Sequence, residues 1–148
     1  MDIKEFVLKA KKSTYASGKK PILLADGFEE FLYREEDYEY RDRYYAKDPK
    51  PFGGEEVVWK KGKAVWVMHY YGFVLDSKIK NELLYGFLRK AMSLITKDNP
   101  FRGPSNFKES EFEYKNQSEG DFSRFKGFER IFFRGKEVYR LEYHGGEL

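Results

Sequence analysis

The chain contains no cysteine, which excludes a disulfide framework, a thiolate nucleophile and a thiol metal site. Histidine is nearly absent too: His69 and His144 are the only two, and they do not form a close-spaced ligand motif. Long apolar runs are missing. No window approaches the roughly 18 uninterrupted apolar residues of a spanning helix. The start, Met1-Asp-Ile-Lys-Glu-Phe-Val, has acids where a signal peptide would carry an apolar run. The expectation is a cytoplasmic protein with no membrane partner.

The glycines do not supply a phosphate cradle. Gly53-Gly54, Gly103 and Gly145-Gly146 lack both Gly-x-Gly-x-x-Gly and Walker spacing, and read as turns and strand ends. There is no Gly-x-Ser-x-Gly elbow and no serine beside a histidine. An excess of one charge is also lacking. Charged residues make up 36% of the chain, yet the net charge is only +3, so the surface reads as salt-bridge-rich and nucleic acid is disfavoured as a partner. Abundant Lys and Glu without Cys fits a heat-adapted, thermostable protein.

What the chain has in quantity is aromatic surface and internal similarity. Phe, Tyr and Trp number 14, 12 and 2, more than two helices on one sheet require. Shifted by 74, Tyr33 to Asp42 falls on Phe107 to Asn116, and only the Glu36/Ser110 pair changes chemical character. Shifted by 73, Glu56 to Leu75 falls on Glu129 to Leu148 with seven identities, where unrelated segments give roughly one or two. The length fits one domain, residues 1–148, with repeat one at about 1–75 and repeat two at about 76–148.

Each repeat opens with a helix. Asp2 and Glu5 form a capping box, and Ile3, Phe6, Val7, Ala10 and Thr14 share a stripe that Gly18 and Pro21 end. The second helix begins after Asp76 or Ser77, with a stripe of Ile79, Leu83, Phe87, Leu88, Ala91, Leu94 and Ile95. Strands are expected at 30–34, 38–45, near 107 and at 111–116. Two hairpins follow, turning at Lys61-Gly62 and Arg134-Gly135. The fold class expected is therefore α+β: a duplicated α-β4 unit whose antiparallel sheet is packed by two helices about a pseudo-twofold. Such an order resembles the TATA-box-binding-protein-like fold and the duplicated effector domains of multidrug-responsive activators.

Strand alternation puts Trp66, Met68 and Tyr70, with Tyr139, Leu141 and Tyr143, on the core face. The opposite face carries unlike residues at matching places: Val67/Arg140, His69/Glu142 and Tyr71/His144. Pro100-Phe-Arg-Gly-Pro104 holds Arg102 on a stiffened loop suited to a carboxylate or phosphate. The candidate ligand-binding residues are thus His69, Tyr71, Arg102, Arg140, Glu142 and His144. No catalytic residue, metal ligand or cofactor is assigned.

Phe101-Arg-Gly-Pro104, Gly62-Lys-x-Val-Trp-x-Met68 with Tyr70-Tyr-Gly72, and Leu141-Glu-Tyr-His-Gly-Gly146 carry a further likeness. Over nearly its whole length the chain resembles a prokaryotic domain family of unknown function, found alone or fused behind a small helix-turn-helix domain. That family supplies no catalytic residues. The leading expectation is a non-enzymatic, small-molecule-binding or sensor-type domain, with a homodimer allowed. The alternatives are a small hydrolase or isomerase using His69, Arg102, Glu142 and His144, and a nucleic-acid binder using the open sheet face.

Overall fold

Asp2 starts the chain's first helix, its Oδ1 accepting from the Glu5 N–H at 2.8 Å in the manner of an N-cap carboxylate. The computed structural model describes residues 1–47 and 51–148. Helix α1 (Ile3–Ser13) is followed by a 3-10 turn at Tyr15–Ser17 and by strands β1 (Ile22–Leu23), β2 (Glu29–Glu35), β3 (Tyr38–Ala46), β4 (Phe52–Lys60) and β5 (Lys63–Val74). Helix α2 (Asn81–Ser93) then leads into β6 (Asn106–Glu109), β7 (Phe112–Asp121), β8 (Arg124–Phe133) and β9 (Lys136–Glu147). Among the described residues, no helix is long and apolar enough to cross a membrane.

All nine strands join one antiparallel sheet in the order β1-β2-β3-β4-β5-β9-β8-β7-β6. This overturns the expected α+β class. The molecule is mainly β, and its two helices, of 11 and 13 residues, are too short to make it a two-helix-packed α-β4 unit used twice about a pseudo-twofold. The likeness to the TATA-box-binding-protein-like fold, drawn from that element order, goes with it. Glycine pairs and polar stretches that read as strand ends in the sequence are strand interiors in the structure. Gly53-Gly54 lie inside β4, Gly145-Gly146 inside β9, and Gln117 to Gly120 inside β7. A strand with one covered face needs alternation only on that face, so polar outer positions extend it without an apolar signal.

The two hairpin turns follow from their glycines. Gly62 and Gly135 both have φ of 79°, and the preceding Lys61 and Arg134 have φ of 49° and 50°. Two successive positive φ angles define the turn whose twist matches that of the flanking strands. Beyond each turn lies a bulge, between Val58 and Trp59 in one hairpin and between Ile131 and Phe132 in the other.

The core forms between one sheet face and the helices. Phe6, Val7 and Ala10 of α1 and Leu84, Phe87, Leu88, Ala91 and Met92 of α2 are buried against it. The α2 stripe is turned from the expected one: Leu83 and Leu94 face solvent, while Leu84 and Met92 are buried. Trp66 is fully buried, stacked on Phe122 and Phe125 with ring centroids 5.3 and 5.6 Å away. Its indole N–H donates to the Phe122 carbonyl at 3.3 Å. Trp66 is therefore a packing residue.

Candidate functional site

Among the described residues, five charged side chains are carried into this core, and they decide where the chemistry lies. Lys11 comes from α1, Asp42 from β3, Glu56 from β4, Glu129 from β8, and Arg102 from the loop after α2. Each is more than nine-tenths buried, so each needs a partner, since an uncompensated buried charge is costly.

Two sets of partners result. In the first, the Lys11 ammonium stands 2.8 Å from Glu56 Oε2, off the direction of an aligned hydrogen bond, and donates to the Phe101 carbonyl. Tyr40 faces the Glu56 carboxylate, which together with burial raises the pKa of its hydroxyl, and the Tyr70 hydroxyl donates to Asp42 Oδ1 at 2.5 Å. In the second, Arg102 grips Glu129 with Nε at 3.1 Å and Nη2 at 2.5 Å. Tyr114 and Tyr139 donate to the same carboxylate, and the Tyr143 hydroxyl donates to Asn116 Oδ1 at 2.8 Å. The residues correspond in pairs at the sequence shifts: Tyr40 and Tyr114, Asp42 and Asn116, Glu56 and Glu129, Tyr70 and Tyr143.

The correspondence fails at one chemical point. Asn116 is neutral, and its Nδ2 donates to the Gly103 carbonyl at 2.8 Å. Asp42 is an acid with no ion-pair partner among the described residues. Burial and the nearby Glu56 charge raise its pKa from 3.8 to about 7, although Tyr70, Arg102 and Lys11 pull the other way. Burial also lowers the Lys11 pKa against the pull of Glu56. It works against the Arg102 charge as well, but Glu129 overcomes it and holds the guanidinium ionised.

Beside Asp42 the packing opens into a cavity of about 480 Å³, within the range of small-molecule sites. Its wall is aromatic: Tyr15, Tyr40, Tyr44, Phe52, Tyr70 and Tyr85. Lys11, Asp42, Glu56 and Arg102 supply polar groups to it. Burial raises the Tyr15, Tyr40 and Tyr70 hydroxyls above their ordinary range, so these remain neutral donors.

The six residues expected from sequence fall in two regions. Arg102 reaches the cavity, but Glu129 holds its guanidinium. His69, Tyr71, Glu142 and His144 line a hollow that includes the other sheet face. There His69 pairs with His144 and Tyr71 with Glu142 across the β5–β9 seam. The imidazole centroids are 5.5 Å apart, and His69 Nδ1 is 3.6 Å from Glu55. Arg140 makes two hydrogen bonds to Glu137, at 2.8 and 3.1 Å. No single cleft gathers Arg102 with His69, Arg140, Glu142 and His144: the loop after α2 carries Arg102 to the core side, and strand alternation turns the other four to the opposite face. Among the described residues, no group of three or more His, Asp or Glu side chains could hold a metal ion.

Lys11, Asp42, Glu56 and Tyr70 were missed as a site. Two signals for them exist in the sequence: a lysine within the Val7, Ala10, Thr14 stripe, and the Asp42/Asn116 pair, which passes as a match by shape although it exchanges an acid for a neutral amide.

No curated protein and no solved structure matches the chain. One family model does, over residues 42–148, a span that begins at Asp42 and contains Glu56, Tyr70, Arg102 and Glu129 but not Lys11. By that match, the chain belongs to the family described as the DUF5680 domain of unknown function.

Proposed function

We propose that this protein is a non-enzymatic, small-molecule-binding module of the sensor type, its ligand held in the aromatic cavity between the sheet and α2. The observation that carries the reading is the cavity itself: about 480 Å³, ringed by tyrosines and two phenylalanines, with a few fixed polar groups. Packed cores leave few voids larger than a water molecule, so a space of this size beside ordered charged groups is suited to a ligand. The internal similarity adds a second strand of support. The two matched partner sets differ in charge at Asp42 against Asn116. The resemblance to prokaryotic domains fused behind helix-turn-helix heads fits a sensor, because effector domains occupy that position.

The hydrolase or isomerase alternative needs Arg102 beside His69, Glu142 and His144, and these are separated. The outer face offers little to nucleic acid: a row of cross-strand partners there reads Glu30, Arg43, Glu55, His69, His144, Lys126, Glu119, with charges of both signs.

A thermal-shift screen against a library of small aromatic and heteroaromatic compounds tests the reading. A ligand at 100 times its Kd adds about 2.7 kcal/mol to the stability of the folded state. Ala16 lines the cavity from the 3-10 turn, and Ala16→Trp fills it. The expected result is hits that vanish in the folded Ala16→Trp variant. Hits that persist in that variant, or a library with none, would discard the cavity as a ligand site.

A further inference from the structure

Charge bookkeeping within the core points to the class of ligand. Among the described residues the interior holds three carboxylates, Asp42, Glu56 and Glu129, against two cations, Lys11 and Arg102. Arg102 is bound by Glu129 through two hydrogen bonds, and Lys11 stands against Glu56. The remaining carboxylate is Asp42, which is 6% exposed, lines the cavity and is contacted by one hydroxyl donor, that of Tyr70. The second half provides an internal control. There the matching position is Asn116, satisfied by Tyr143 and by the Gly103 carbonyl, and no charge is left over. An acid in place of that amide costs stability in the empty protein when it is ionised, and a proton or a cationic partner brought from outside removes the cost.

We propose that the ligand carries a cationic group, a protonated amine or amidinium, that takes the Asp42 carboxylate as its counter-ion, with its apolar body against the tyrosine wall. The proposal rests on the cavity being the ligand site. A buried charge-assisted hydrogen bond is stronger than a neutral one, and tyrosine faces attract cations. The groups facing Asp42 are Lys11 from α1, Tyr40 and Tyr44 from its own strand β3, Glu56 from β4, Tyr70 from β5 and Arg102 from the loop after α2. An incoming cation completes the neutralisation of this set. Near neutral pH a bound proton leaves Asp42 for solvent as the ligand cation enters, so uptake is linked to proton release.

Two series of near-isosteric probes test this by calorimetry: phenethylamine, phenethyl alcohol and phenylacetate, then tryptamine, tryptophol and indoleacetate. In at least one series the amine should bind about tenfold or more tightly than the alcohol and the carboxylate, the gain from one hydrogen bond to a buried charge. Asp42→Asn should reduce that preference to within about threefold. In the wild type at pH 7, the heat of amine binding should vary with the ionisation enthalpy of the buffer; in Asp42→Asn it should not. Alcohols or carboxylates that bind as well as amines overturn the proposal and leave the ligand-binding reading standing. Amine preference that survives in Asp42→Asn does the same, and so does failure of both amines in a protein whose cavity gives hits in the wider library. An empty library fails the cavity reading and this proposal together.

Discussion

Asp42 and Asn116 differ by one atom type and should respond oppositely to exchange. Asp42 has a folded pKa of about 7 against an ordinary 3.8, so folding takes up a proton between those values. Its contribution to stability is full below about pH 4 and is lost as pH rises through 7, a loss on the order of 4 kcal/mol. Asp42→Asn keeps an acceptor for the Tyr70 hydroxyl and removes the titration. The variant should therefore melt higher than wild type at pH 8, with the gap closing toward pH 5; parallel melting curves across that range would contradict the assignment. Asn116→Asp is the reverse case. It sets a carboxylate against the Gly103 carbonyl that Nδ2 now satisfies, and should cost about 1–3 kcal/mol in urea unfolding at pH 8. Arg102→Ala leaves the fully buried Glu129 without its cation and should cost about 3–5 kcal/mol in the same measurement, and Lys11→Met, which leaves Glu56 without its cation, should cost a similar amount. At this scale the sequence was partly legible. Alternation put Trp66, Met68, Tyr70, Tyr139, Leu141 and Tyr143 inside, where all six are buried. It could not show that Arg102, read as a free cation on a stiff loop, is taken by Glu129, because that pairing joins a loop to a strand 27 positions away.

Hairpins are the elements the sequence specifies most firmly, because their information is local. Lys61-Gly62 and Arg134-Gly135 determine the turns within two residues each, and no heavy atom outside the neighbouring residues lies within 4 Å of where a Cβ on either glycine would sit. Gly62→Val and Gly135→Val should each destabilise by about 1 kcal/mol or more through backbone strain. Since there is nothing for the side chain to strike, Ala in place of Val should cost nearly as much, which chemical denaturation can check; unchanged midpoints would mean that the turns tolerate another geometry. Helix α2 was less legible. Both candidate stripes, one through Leu83 and Leu94 and one through Leu84 and Met92, satisfy helical spacing, and only packing against the sheet selects the second. The long strands were hidden for a related reason. Gly127 in β8 reads as a breaker, yet a Cβ there would collide with the Tyr143 ring and the Gln117 carbonyl, so the residue marks close approach within a continuous strand.

Across the whole molecule, the fold class was the expectation that failed, and the sheet order shows why. A 3.6-residue periodicity announces two helices plainly, whereas nine strands with one polar face announce themselves weakly, so the helices were given too large a share. The sheet joins its two sides through the β5–β9 seam, where Tyr70 lies against Tyr143. Chain 76–148 contains β6 to β9 and α2 but lacks β5, Lys11 and the apolar face of α1. Expressed by itself it should lack dispersed amide resonances and a cooperative melt, and mixing it with chain 1–75 should restore both; a folded 76–148 fragment would refute the single core.

The seam also sets the tempo of folding. It pairs Trp66 with Glu147 and Val74 with Tyr139, contacts between residues far apart in the chain, while each flanking hairpin closes on neighbours. Loop-closure entropy delays such contacts and slows folding. The two hairpins can therefore form early and wait. The cavity wall, built from β3, β4, β5 and α2, gains its full support only when β9 zips onto β5. Until that step the Asp42 carboxylate remains within reach of water, and the unpaired edges of β5 and β9 are the surfaces through which two unfinished chains would stick to one another.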